Sequence, residues 1–299
     1  MSAIEKPELE NVLPVNLKTL VISALSGCLL AILVLLTYKN IPELAILGCV
    51  VAFVLIVAIQ LESYYRIQNT LYQQNDQLQK ALALESQSRE RDYRQIEAMF
   101  SIFNVLKLNS PLPAMRGWAI SPDFVVLLIS LMNQHQPKLI VEAGSGVSTL
   151  LMGYQVKRIG QGEIFSLDHD ESYAKESMHQ VIHHGLSEVA TVIYAPLEEV
   201  PIKHQTWQWY DTRELFAKLQ QKIDLLVIDG PPGDLQALSR YPALPVLFEA
   251  LSDRAVIVMD DAGREDEQKI VERWQQEFNC SSVSLIANEK GAAILQIQK

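Results

Sequence analysis

Leu139-Ile-Val-Glu-Ala-Gly-Ser-Gly-Val-Ser-Thr149 is the stretch whose reading decides the fold. Leu139 to Val141 is an apolar run too short for a helix and suited to a buried parallel strand. Glu142 closes that strand, and Gly144 and Gly146 then turn the chain with no Cβ in the way. Ser148 and Thr149 lead into Leu150-Leu-Met-Gly-Tyr154, whose apolar spacing predicts a helix. Strand, glycine turn and helix N-terminus together form a cradle: bare backbone lets a ligand approach, and amide groups face it. Many Gly-x-Gly turns are purely structural, so the rest of the chain must decide.

Downstream the pattern alternates. Glu163 to Asp168 reads as a second strand, Glu171 to Gly185 as a helix ended by glycine, and Val189 to Ala195 as a third strand. Pro196 to Asp211, with Trp207-Gln-Trp-Tyr210, reads as an irregular insert. Ile223 to Asp229 and Ala255 to Asp260 are strands four and five, and Glu265 to Phe278 is a helix. Upstream, Ser121-Pro-Asp123 predicts a helix start with Ser as cap, opening Phe124 to Gln136. Strands separated by helices imply a parallel sheet covered on both faces. The end breaks that rhythm. Ser282 to Ala287 and Ala292 to Ile297 are strands joined only by Asn288-Glu-Lys-Gly291, too short for a crossover helix, so the pair is antiparallel.

Five parallel strands and a closing antiparallel hairpin give an order that resembles the class I AdoMet-dependent methyltransferases. The resemblance runs over residues 112–299 and is closest to the bacterial branch akin to the catechol O-methyltransferase group. It is carried by Val-Glu-Ala-Gly-Ser-Gly-Val-Ser-Thr (141–149), Ser-Leu-Asp-His-Asp (166–170), Val-Ile-Asp-Gly-Pro-Pro-Gly (227–233) and Val-Met-Asp-Asp-Ala-Gly-Arg (258–264). What it implies is an α/β, Rossmann-like sheet that binds S-adenosyl-L-methionine. The cofactor would lie against Glu142, Gly144, Ser145, Gly146, Ser148, Thr149, Asp168, His169 and Asp229.

The residues make physical sense of that placement. Asp168 ends strand two about 20 residues past the glycine turn, where an acid accepts hydrogen bonds from ribose hydroxyls. A solvated loop acid is the plainer alternative. His169 is placed to flank the adenine, although a lone loop histidine is usually neither ligand nor catalyst. No lysine stands in the turn, which argues against a nucleoside triphosphate. Asp229, Asp260 and Asp261 are expected side by side at the cleft, where three carboxylates raise one another's pKa. A divalent cation such as Mg²⁺ would relieve that crowding. In the metal-dependent relatives an Asp and an Asp-Asn pair hold the ion. Here Asp261 replaces the Asn, and Arg264 is near enough to neutralise one charge. The family's lysine base corresponds to Pro232, leaving the general base unassigned and Asp229 as the polar group facing the methyl acceptor. His179, His183 and His184 read as surface residues, Trp207, Trp209 and Tyr210 as pocket wall or as pins for the insert, and Arg116 and Trp118 as candidate caps on the cleft.

Composition narrows the field. Net charge is −10, and residues 110–299 hold 16 Lys+Arg against 25 Asp+Glu, a poor surface for a nucleic acid. Cys28, Cys49 and Cys280 are too scattered for a disulfide framework.

The first 109 residues take no part in the resemblance. Residues 1–16 read as a polar tail. Thr19 to Tyr38 and Leu44 to Leu61 carry no charge, and each is close to the roughly 20 residues a helix needs to cross a bilayer. Ser23, Gly27 and Ala31, and Gly48 and Ala52, fall four apart, a spacing that lets helices pack closely in lipid. Lys6, Lys18, Arg66 and Lys80 flank the pair outside the loop that holds Lys39, which places both ends in the cytoplasm. Residues 62–109 contain no Pro or Gly and a broken heptad seam, predicting a stalk of about 70 Å at 1.5 Å per residue. A parallel homodimer and a single solvated helix both fit it.

The expected organisation is therefore a tail (1–16), a transmembrane hairpin (17–61), a stalk or coiled coil (62–109) and a methyltransferase domain (110–299) acting on a small or lipid-linked hydroxyl such as a glycan intermediate. An NAD-dependent oxidoreductase is one rival, opposed by the terminal hairpin and by Thr149 where a dinucleotide turn prefers Gly or Ala. A non-catalytic AdoMet-binding scaffold is the other, kept open by the missing lysine.

Overall fold

The computed structural model describes residues 26–35 and 42–299. The expected tail, Ser23, and the flanking Lys18 and Lys39 lie outside the described residues. The chain divides into two compact units, Met1–Ser88 and Arg89–Lys299.

In the first unit, α1 (Ser26–Leu35) is a short apolar helix and α2 (Pro42–Val105) begins a long one. Among the described residues α2 alone is long and apolar enough to cross a membrane. Ile46, Val50, Phe53 and Val54 on it are each more than half exposed (64%, 54%, 68% and 59%), an arrangement water does not favour. A Cβ on Gly48 would stand 3.3 Å from Val34 Cγ2, whereas Gly27 has no neighbour within 4 Å. Of the predicted small-residue stripe, Gly48 on α2 therefore meets α1, whereas Gly27 on α1 meets no described residue of α2. The second apolar run and the expected stalk are one uninterrupted helix, because nothing after Gly48 breaks it. Glu62–Arg66 and Asp76–Lys80 pair along its surface at i,i+4, each worth a few tenths of a kcal/mol.

The second unit starts at Arg89, so the last turns of α2 fold with the domain: Ile102 and Leu106 are buried in its core. Next come α3 (Pro122–His135), β1 (Leu139–Ala143), α4 (Val147–Ile159), β2 (Glu163–Asp168), α5 (Glu171–His183) and β3 (Ala190–Tyr194). They are followed by β4 (Leu197–Ile202), β5 (Gln205–Tyr210), α6 (Arg213–Lys218), β6 (Ile223–Ile228), α7 (Ala243–Leu247), β7 (Leu251–Asp260), α8 (Glu265–Glu277), β8 (Cys280–Ile286) and β9 (Ala292–Ile297). Seven strands form one sheet in the order β3-β2-β1-β6-β7-β9-β8. The first five are mutually parallel. The last strand, β9, inserts antiparallel between β7 and β8. The sheet is therefore the expected five parallel strands closed by an antiparallel hairpin, with edge strand β8 running in the direction of the first five.

Alternation of side chains builds two cores. Leu139, Val141, Leu226 and Ile228 face one side, against Trp207, Leu244, Ile270 and Trp274. Ile140, Leu225 and Val227 face the other, against Ile102, Phe124, Leu128 and Leu151. Each buried aliphatic contributes about 1.5–3 kcal/mol, far more than an exposed ion pair. The two cores fix the sheet.

Two local expectations need correcting. Residues 196–211 are not irregular: β4 and β5 form a separate antiparallel hairpin from Leu197↔Tyr210 to Ile202↔Gln205. Ser121 stands at the N-cap of α3 but makes no side-chain cap, because its hydroxyl donates instead to Asp123 Oδ1 at 2.6 Å.

Candidate active site

Strand order reverses at β1, which has β2 on one side and β6 on the other. At such a switch point the chains leaving the two carboxyl ends diverge and open a crevice. Gly144 follows β1 and Asp229 follows β6, and the Asp229 N–H donates to Ala143 O at 2.9 Å. Gly144 (φ +122°) and Gly146 (φ +141°) hold conformations that side chains rarely adopt. A Cβ on Gly146 would point into open space, so the turn presents bare backbone to the crevice.

The predicted cofactor residues separate into two layers. Gly144, Ser145 and Gly146 are half-buried and line the surface. Glu142, Ser148 and Thr149 are buried beneath them and brace the turn. Thr149 Oγ1 accepts from the Gly146 N–H at 3.2 Å and donates to Glu142 Oε2 at 2.6 Å, while the Ser166 hydroxyl donates to the same oxygen at 2.5 Å. Burial pushes the Glu142 carboxyl up, against the opposing pull of hydrogen bonds from Ser148, Ser166 and Thr149. Its Oε1 has no hydrogen-bond partner among the described residues.

Asp168 ends β2 as expected. The Ser145 hydroxyl donates to Asp168 Oδ2 at 2.5 Å, and the Asp170 N–H donates to Oδ1 at 3.0 Å. His169 lies 3.8 Å from Asp168 Oδ1, with its ring edge-on to Tyr210 at 6.2 Å. Tyr210 is fully buried with its hydroxyl against Gly230, where a Cβ would collide with it. Burial raises the Tyr210 pKa, leaving the phenol a neutral donor. Trp207 and Trp209 belong with Tyr210 to the core, and so pin the hairpin.

The three acidic residues converge, their nearest ligating oxygens all within 4.8 Å of one another. Only Asp229 reaches the crevice: side-chain exposure is 18% for Asp229, 0% for Asp260 and 5% for Asp261. Burial, with added repulsion from the neighbouring acids, lifts Asp229 to about 6 and Asp260 to about 7. Burial thus outweighs the mutual repulsion expected from the sequence. Arg240, which the sequence reading did not pick out, stands among the three with 3% of its side chain exposed. Its signal was a lone cation within the apolar run Ala237-Leu-Ser-Arg-Tyr-Pro-Ala-Leu244. Arg264 also reaches Asp261, at 3.1 Å.

Other candidates settle differently. His184 is not a surface residue: it is fully buried, with Nδ1 2.8 Å from the Tyr154 hydroxyl. Burial lowers its pKa. His179 and His183 are exposed. Arg116 is held by Glu289 and Asp92 at 2.7 and 2.8 Å, and Trp118 is 89% exposed.

A sheet of this order, with a glycine turn and an acid-tipped second strand at its switch point, defines a nucleotide-cofactor-binding α/β domain. Residues 141–262 match the family model described as a methyltransferase domain. No curated protein matches the sequence. Solved structures similar in fold include the O-methyltransferase from Bacillus cereus in complex with SAH, at 15% identity and TM-score 0.47, covering 68% of this chain and 90% of that one. Another is the SAH-bound Podospora anserina methyltransferase PaMTH1, at 15% identity and TM-score 0.46, covering 61% and 81%. A third is the O-methyltransferase TomG from Streptomyces achromogenes in complex with SAM, at 12% identity and TM-score 0.45, covering 61% and 82%.

Proposed function

We propose that this protein is a membrane-anchored AdoMet-dependent methyltransferase that methylates a hydroxyl on a small or lipid-linked acceptor. The observation that carries the reading is the pairing of Ser145 with Asp168 across the open glycine turn, inside the segment that matches a methyltransferase domain. The donor set suits AdoMet. Asp168 keeps free lone pairs for ribose hydroxyls, Gly146 leaves room for close approach, and the acids Asp168 and Asp229 at the crevice favour a sulfonium and an ammonium over phosphates. Bound there, AdoMet supplies an electrophilic methyl group.

The chain's own contribution is alignment. Gly144 and Gly146 fix the cofactor side, and Asp229 is the carboxylate of its cluster that faces the acceptor side. Holding two reactants in line supplies most of the acceleration in such transfers. Asp229, at about 6, is ionised at neutral pH and able to accept the acceptor's proton.

The anchor is supported by the exposed apolar surface of α2 and by the approach of Gly48 to Val34. Two spans, at 19–38 and 44–61, with the catalytic domain in the cytoplasm, fit the flanking lysines and the cytoplasmic supply of AdoMet. Membranes containing the full chain should move label from methyl-labelled AdoMet into a membrane extract, and Asp229→Asn should abolish the transfer. Cofactor binding without any transfer would favour a scaffold. Tags at residues 2 and 299 should both resist external protease in intact cells, and digestion of the C-terminal tag would refute the cytoplasmic placement.

A further inference from the structure

Three carboxylates whose oxygens lie within 4.8 Å of one another ordinarily call for a divalent cation. Here the space among them is served by Arg240. Its Nη1 donates to Asp260 O at 2.9 Å, and its Nη2 donates to Asp229 O at 2.9 Å and to Asp261 Oδ2 at 2.8 Å. The same Nη2 is 3.6 Å from Asp229 Oδ1, and Nε is 3.8 Å from Glu267 Oε1. Arg264 Nη1 approaches Asp261 Oδ2 as well, and Lys290 Nζ stands 3.8 Å from Asp260 Oδ2. Four carboxylates therefore face three cations, and the most deeply placed cation is a guanidinium whose planar fork ties the ends of β6 and β7 together.

A divalent ion does not fit this arrangement. Mg²⁺ requires six oxygens in near-octahedral array at about 2.0–2.1 Å, but Oδ2 of Asp261 is already shared by two guanidinium groups. An ion there would also sit beside the buried positive charge of Arg240. Of the three carboxylates only Asp229 is open to the crevice, so two of the three would have to draw an ion toward the buried Arg240. Among the described residues the two oxygens of Asp260 lack hydrogen-bond partners, yet they are wholly buried and Lys290 Nζ stands 3.8 Å from Oδ2.

We propose that Arg240 takes the place of a divalent cation as the positioning residue of this site, fixing Asp229 at the acceptor side, so that methyl transfer proceeds without a metal. The inference rests on the methyltransferase reading. Arg264 cannot substitute for it: the Arg264 side chain is 53% exposed and touches Asp261 from the rim.

The test uses the full chain in detergent, stripped with chelator, and titrates Mn²⁺, Mg²⁺ and Ca²⁺ by calorimetry and by thermal melts, with AdoMet titrated in parallel. Wild type should give no metal heat and no shift in melting temperature, and its transfer rate should be the same in excess chelator. Arg240→Met should uncover the carboxylates, gaining both Mn²⁺ heat and a Mn²⁺-dependent rise in melting temperature, a change that loss of packing alone does not produce. Arg240→Lys, which keeps a charge but loses the fork, should remain blind to Mn²⁺ and transfer methyl at least about tenfold more slowly. Metal heat in the wild type overturns the proposal, and so does an Arg240→Met protein that folds and binds no Mn²⁺. If Arg240→Met does not fold, the wild-type titration decides alone. Silence toward both AdoMet and metals would refute the methyltransferase reading while leaving Arg240 as the cluster's cation. AdoMet heat together with metal heat would do the reverse.

Discussion

The Thr149 hydroxyl donates to Glu142 Oε2 at 2.6 Å, joining the first turn of α4 to the end of β1 beneath the glycine turn. Both side chains are fully buried, so the bond has no water to replace it. Thr149→Val keeps the shape and removes the donor. The variant should lose about 1–3 kcal/mol of stability, read by urea unfolding of the detergent-solubilised chain. A loss of only a few tenths would mean that the network does not brace the turn.

Asp168 is placed to take the cofactor's ribose from the carboxyl end of β2, where Ser145 of the glycine turn donates to it. Asp168→Ala should therefore weaken AdoMet binding by roughly 10- to 100-fold, the worth of one or two hydrogen bonds to a charged group. Unchanged affinity in calorimetry would place the ribose elsewhere.

Glu277 predicts acid sensitivity. Burial works against its charge, but hydrogen bonds from Arg273, Tyr241 and Lys203 outweigh it and hold the carboxyl at about 2. The folded pKa lies below the ordinary 4.5, so the stabilisation is present above that value and is lost as pH falls through 2. Glu277→Gln should cost about 1–3 kcal/mol at pH 7, and the gap to wild type should close toward pH 2. A gap independent of pH would contradict the assignment.

Asp260 predicts the opposite slope. Burial first, then Asp229 and Asp261, raise it to about 7. A raised acid favours folding in its protonated form, so its contribution is full below the ordinary 3.8 and is lost as pH rises through 7. Asp260→Asn should flatten the melting temperature between pH 4 and pH 7. An equally steep profile in the variant would move the cause to another group.

The parts of the fold that were legible in sequence are those written in local pattern. Leu139–Thr149 declared itself because a short apolar run meets two glycines at a helix start, and the terminal hairpin because four residues cannot house a helix. The β4–β5 hairpin was hidden: Pro201 interrupts β4, and Trp209 and Tyr210 are buried on opposite faces, which erases the period of two. Arg240 was illegible as a site residue because its partners lie 11 to 27 positions away and meet only once β6 and β7 are paired. His184 looked like an exposed histidine because its partner, Tyr154, comes from another helix.

Cofactor choice tests the central claim most directly. Calorimetric titration of the full chain in detergent should give saturable heat with AdoMet and with its demethylated product, and none with NAD. Tighter binding of NAD than of AdoMet would contradict the account at its base, because the same crevice would then serve hydride transfer rather than methyl transfer.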